Sequence, residues 1–166
     1  GALQGGRKTV GIPLALGHLQ LLPFWGTLLG ELGLKVIASP VSNRKIIHDG
    51  VEAVTATPCF PVKVAHGHVL DLLARGVDYL WLPSVVSMPN EFPENDYNQL
   101  CPYVQTIPYQ VAVALESRWG KTKLLKPVIR FQGGRRAVFK GLRPLCRELN
   151  VSPARMAAAL KAAFKA

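Results

Sequence analysis

Short apolar runs alternate along this chain with longer segments in which apolar residues recur every three or four positions. Thr9-Val10-Gly11-Ile12-Pro13-Leu14 reads as a first strand, with Pro13 marking its end. Leu21, Leu22, Trp25, Leu28, Leu29 and Leu32 give the spacing of a helix over His18–Leu32, closed by Gly33. Leu34–Ala38 is a second strand, and Ser42-Asn43 caps a short helix over Arg44–Asp49 that Gly50 ends. Glu52–Thr55 reads as a third strand, Phe60–Arg75 as a helix stopped by Gly76, and Val77–Pro83 as another apolar strand. Strands and helices in alternation with short connections imply an α/β fold, a Rossmann-like, mostly parallel sheet flanked by helices. In such sheets ligands gather beyond the carboxyl ends of the strands.

The second half continues the pattern less regularly. Ser84–Gln99 reads as a loop long enough to have a covering or functional role. Pro108–Trp119 is expected to be helical, with Pro108 near its start, and Val128–Phe131 to be a last strand. A basic helix over Arg135–Leu149 carries Phe139, Leu142, Cys146 and Leu149 on one stripe, with Pro144 bending it or delaying its start. That stripe makes Cys146 a core residue. Ser152-Pro153 is an N-cap and first-turn pair, and the helix behind it, to Lys165, should bury Met156, Leu160 and Phe164. Residues 1–8 read as a cloning scar or linker, and residues 9–166 as a single domain cut from a longer chain.

The chemistry concentrates in Thr57-Pro58-Cys59-Phe60-Pro61-Val62-Lys63-Val64-Ala65-His66-Gly67-His68. Pro58 keeps Thr57 out of helical geometry, and Pro61 is tolerated only in a first turn, so the helix starts near Phe60. Cys59 then stands at its amino end, where unpaired N–H groups and the dipole favour an anion such as a thiolate. On a helical wheel Val62, Ala65, Val69, Leu72 and Leu73 form an apolar arc that includes His66, while Val64, His68, Asp71 and Arg75 lie opposite. A second cysteine, Cys101, directly precedes Pro102. It reads either as a packed loop cysteine or as a second thiolate brought to Cys59 by the fold. Buried cysteines and histidines are common in cores, which is the competing explanation for the whole stretch.

Three widely spaced cysteines do not form a disulfide framework, which fits a reducing, cytoplasmic setting, and no CxxC pair provides a zinc-ribbon spacing. Phosphate-loop, dinucleotide and hydrolase-elbow motifs are absent, so any ATP hydrolysis belongs to another domain. No uncharged apolar stretch is long enough to span a membrane. Residues 117–166 hold thirteen Lys/Arg and one acid, against seven and nine in residues 1–116. This basic third suits an acidic partner, an anionic cofactor such as a nucleotide or coenzyme A, or simply solvated helix faces. Nucleic acid binding would rest on charge alone, because the aromatics form no stacking pattern.

The residues resemble a known family. Ile12-Pro13, Pro23-Phe24-Trp25, Glu31-Leu32-Gly33, Ser42-Asn43-Arg44-Lys45, the run from Cys59 to His68, and Cys101-Pro102-Tyr103-Val104-Gln105 look like the uncharacterised domain of CoA-substrate-specific enzyme activases, or acyl-CoA dehydratase activase-related proteins. That domain is similar to subunits of 2-hydroxyacyl-CoA dehydratases and to double-cubane-cluster reductases. The resemblance implies an iron–sulfur cluster, [4Fe–4S] or double cubane, on Cys59 and Cys101. It also implies Lys63, His66 and His68 around the sulfurs and low-potential electrons from an ATP-hydrolysing activator, with acyl-CoA as a further partner. Dehydratase subunits typically use three cysteines, and many relatives carry one where this chain has Ser84. Serine is a poor replacement for a soft thiolate. The third ligand would come from a downstream segment, another subunit or Cys146; otherwise the domain is a scaffold without a cluster.

Overall fold

The structure, a computed structural model, describes residues 7–54, 58–90 and 98–166. In its first half the elements are β1 (Thr9–Ile12), α1 (Gly17–Gln20), α2 (Leu22–Glu31), β2 (Lys35–Ala38), α3 (Arg44–Glu52), α4 (Phe60–Ala74) and β3 (Tyr79–Trp81). The second half holds β4 (Ser84–Ser87), α5 (Pro102–Ala114), a 3-10 turn (Glu116–Arg118), β5 (Lys123–Leu125), β6 (Val128–Arg130), α6 (Gly134–Leu142), α7 (Leu145–Glu148) and α8 (Pro153–Ala163). The expected α/β fold is present: a four-stranded parallel sheet in the order β2-β1-β3-β5, flanked by helices.

β4 and β6 form a second parallel pair, Ser84 opposite Val128. They prolong β3 and β5 past Pro83 and Pro127, which have no N–H for a ladder. Leu82 N–H to Leu125 O and Ser84 N–H to Pro127 O, both 2.9 Å, stitch the break.

The period-two alternation of strand side chains divides the core in two. Val10, Ile12, Trp81 and Leu125 face α2, α6, α7 and α8. Leu80 and Leu82 face α4 and α5. On the first side Trp25 and Trp81 pack at a 58° tilt with 5.1 Å between ring centroids, and Phe24 meets Phe131 at 5.2 Å and Phe164 at 5.1 Å. Burying a side chain of this kind contributes roughly 1.5–3 kcal/mol.

On the other side α4 is buried nearly all round, because α3 covers the face opposite the apolar arc. The two helix backbones touch through glycines. A Cβ on Gly67 would stand 1.9 Å from Ile46 O, and one on Gly50 would stand 2.2 Å from Lys63 O. Gly50 therefore does not end α3, which runs to Glu52; it is where α4 docks.

Other expectations are corrected. Pro23 separates α1 from α2, so His18–Leu32 is not one helix. Glu52 closes α3 rather than opening a strand, and Ala53 caps it; Thr55 and Thr57 lie outside the described residues. Ser84–Ser87 is strand rather than loop, and Ser87 also bridges Gln99; residues 91–97 lie outside the described residues. The helix expected from Pro108 begins at Pro102 and ends at Ala114, with Pro108 inside it. β5 is three residues long between basic and proline positions, too short to show a period. Pro144 splits the expected 135–149 helix into α6 and α7. Phe164 is 42% exposed, although its ring meets Phe24.

Candidate functional site

Each helix that precedes a parallel strand runs antiparallel to it, so its amino end lies at the sheet's carboxyl edge. α4 leads into β3 and α5 into β5. Cys59 is the N-cap of α4 and Cys101 the N-cap of α5, and both thiols are exposed. The fold thus places the two predicted ligands in equivalent positions at one edge, on two helices that pack together. Pro61 and Pro102 occupy first-turn positions, where their missing N–H costs no helix bond. The Cys59 carbonyl accepts from Val62 N–H at 3.0 Å and Lys63 N–H at 3.2 Å, which fixes the turn.

The Cys101 turn is tied to the end of the extended strand. Leu100 N–H donates to Val86 O at 2.9 Å. The Ser84 hydroxyl donates to Gln105 O, and the Gln105 amide donates to Leu100 O, both at 2.6 Å. Ser84 is 5% exposed. Its oxygen belongs to this backbone brace.

Both histidines of the α4 motif are buried, His66 at 1% and His68 at 0% exposure. The wheel placed His68 away from the apolar arc, and α3 and the Ser39–Ser42 segment enclose it there. Its Nδ1 meets Ser39 Oγ at 2.8 Å and its Nε2 meets Ser42 Oγ at 2.9 Å. Ser39 Oγ also accepts Leu14 N–H at 2.8 Å, so His68 ties α4 to the carboxyl ends of β1 and β2. His66 Nδ1–H donates to Val62 O at 2.8 Å. Its Nε2 is then a bare acceptor, buried and unpartnered. Burial lowers the pKa of both rings, opposed at His66 by the Val62 bond and at His68 by Asp71.

A third histidine at this edge escaped the sequence reading. After β1 the chain turns through Leu16, at φ 54° and ψ −143°, a region that side-chain-bearing residues rarely occupy and that costs about 1–3 kcal/mol. The turn opens α1 and carries His18 inward to 5% exposure. Burial pushes the His18 pKa down to about 4, and its Nδ1 has no partner. The signal available in sequence was a histidine shortly after the central strand.

Cys146 lies in the core on the opposite side of the sheet, as its stripe implied, away from the two exposed thiols. Among the described residues no group of three or more His, Cys, Asp or Glu side chains could hold a metal. A concavity of about 740 Å³ lies elsewhere, lined by Lys126, Arg130, Lys140 and Pro144 among others.

A family model described as the CoA enzyme activase uncharacterised domain matches residues 9–166. The chain belongs to this family. No curated protein and no solved structure matches it. The activase-domain match spans both edge cysteines, the α3–α4 glycine contact and the basic helices in one unit. Among the described residues no helix is long and apolar enough to cross a membrane.

Proposed function

We propose that this domain is an iron–sulfur redox module of an ATP-driven, 2-hydroxyacyl-CoA dehydratase-like or activase-like system. The observation that carries the reading is the pair of exposed cysteines, each capping a helix at the carboxyl edge of one parallel sheet. Thiolates are the usual ligands of such clusters, and free helix N–H groups nearby suit their charge. When bound, the cluster would take up and pass on single electrons. Cys59 and Cys101 would hold it. Ser84 does not supply a further ligand, because its hydroxyl is engaged with Gln105 O, and Cys146 is on the wrong side of the sheet. Ligands from another subunit or segment would therefore complete the site, and an ATP-hydrolysing activator would supply the electrons.

The histidines have support roles in this reading. A neutral His66 spends its only N–H on Val62 O, and both His68 nitrogens are engaged by serines. Lys63, half-buried on the first turn of α4, is left as the side chain able to donate to sulfur.

The test is iron and acid-labile sulfide content, with visible absorption, after anaerobic reconstitution with excess free thiol in place of the ligands supplied from elsewhere. Cluster content should fall in Cys59→Ala and in Cys101→Ala. Full content in both variants would end this reading.

One observation favours a second reading, a scaffold domain that binds an acidic partner or an acyl-CoA. None of the thirteen Lys/Arg in residues 117–166 is in an ion pair among the described residues. A metal-free domain whose partner binding survives cysteine substitution and weakens steeply with salt would support it.

A further inference from the structure

The sheet changes direction between β1 and β3: the chain leaves β1 for β2 on one side and later returns to β3 on the other. Crevices at such reversals are where open α/β sheets take ligands. Here the crevice contains a cavity of about 60 Å³ walled by His18, Leu21, Val85, Met88, Leu100 and Val104. Its wall carries one buried polar side chain, His18, whose Nδ1 is unpartnered. The strained turn at Leu16 immediately precedes it.

The contents of this space are constrained by its chemistry. By volume it would take roughly two waters, but a buried water needs two to four polar partners, and these walls are mostly apolar. A charged group would be desolvated without a counter-charge; the neutral ring offers none. We propose that the cavity is a binding site for a short, uncharged organic group of a few heavy atoms that carries one carbonyl or hydroxyl, hydrogen-bonded to His18 Nδ1. The apolar walls take its carbon atoms, and the single polar atom sets its orientation. Leu16 stores the strain that holds α1 and His18 in this position. The site does not depend on a cluster at Cys59 and Cys101, and its test needs no metal.

The test is long-range ¹H–¹⁵N NMR of the histidine rings in the full chain, titrated with formamide and methanol, which match the cavity's volume, and, as an oversized control, pivalamide. Saturable shifts confined to the His18 nitrogens with the two small probes, and none with pivalamide, are expected. Val104→Phe, which fills the cavity from the half-buried face of α5, should abolish the response while the other histidine signals stay native. His18→Phe should weaken binding about tenfold or more, followed on cavity methyl groups, as expected for a lost buried hydrogen bond. Should His18→Phe fail to fold, Val104→Phe still decides the matter. No His18 shift with either small probe, an equal response in Val104→Phe, or ring signals showing only contact with water that no probe displaces would each overturn the proposal.

Discussion

The two sides of the sheet hold their helices in different ways. On the α3–α4–α5 side, α4 and α5 pack on the sheet through an apolar core, and α3 meets α4 backbone to backbone through Gly50 and Gly67. Histidine–serine bonds tie α4 to the strand ends, and the exposed cysteines stand at the end of that layer. On the α2–α6–α8 side, contact is made mainly by large side chains, Trp25, Trp81, Phe131 and Met156 among them, with one close backbone approach where Gly141 of α6 meets Val128 O of β6, under an outer surface rich in Lys and Arg. Helix is locked against helix by paired glycines on the first side, where the candidate chemistry is, and by large side chains on the second, where charge faces outward. Much of the Cys59–His68 motif is thereby explained as architecture: Gly67 permits the helix contact, and His68 clamps the strand ends.

The largest test of this contrast is glycine substitution. Gly67→Ala forces a methyl into Ile46 O and should destabilise by about 3 kcal/mol or more in urea unfolding. Gly26→Ala in α2, where a Cβ would meet nothing within 4 Å, should instead stabilise by about 0.5–1 kcal/mol. Equal effects would contradict the close α3–α4 approach.

Acid should also act through the histidines. His18 falls from 6.5 to about 4 in the folded chain, and His66 and His68 shift in the same direction. Between these values the unfolded chain binds more protons, so stability is full above pH 6.5 and is lost as pH falls toward 4. For His18 alone this is on the order of 3 kcal/mol. Urea midpoints at pH 7 and pH 5 measure it, and a flat profile would contradict the buried, neutral rings.

A smaller effect is expected at the opposite edge, where Asp78 accepts from Lys8 Nζ and Thr9 N–H at 2.8 Å and from Thr9 Oγ1 at 2.9 Å. Lys8 first, then Thr9, hold its pKa down to about 2, so this contribution is present above about 3.8 and lost only as pH falls toward 2. Asp78→Ala should cost about 1–2 kcal/mol at pH 7. Smallest of all, Arg135→Glu or Lys161→Glu on the basic side should change stability by no more than about 0.5 kcal/mol. Under the scaffold reading the same changes would impair partner binding.

Much of this was legible in sequence because it rests on local rules. The α/β alternation, the Ser152 cap and the start of α4 at Phe60 follow from periodicity, capping and proline chemistry. The core position of Cys146 follows from its stripe. What was not legible depends on tertiary neighbours. His68 lies opposite the apolar arc, and its burial follows only from α3 covering it; Gly50 looks like a helix stop until α4 packs against it. Ser84 looks like loop until β6 pairs with it. Pro108 suggested a helix start, but Cys101-Pro102 provides a better one and the helix accommodates the later proline. At the candidate site both cysteines could be named in advance, whereas His18 could not, because its burial depends on the turn at Leu16 and on β4 and α5.

The most direct test of the central claim is electron paramagnetic resonance of the domain reconstituted anaerobically with excess free thiol, which stands in for the ligands supplied from elsewhere, and reduced with dithionite, compared among Cys59→Ala, Cys101→Ala and Cys146→Ala. The account predicts a reduced-cluster signal that is lost or altered in the first two variants and retained in the third, whose thiol is buried on the other side of the sheet. A signal that survives loss of both Cys59 and Cys101, or that depends on Cys146, would contradict it.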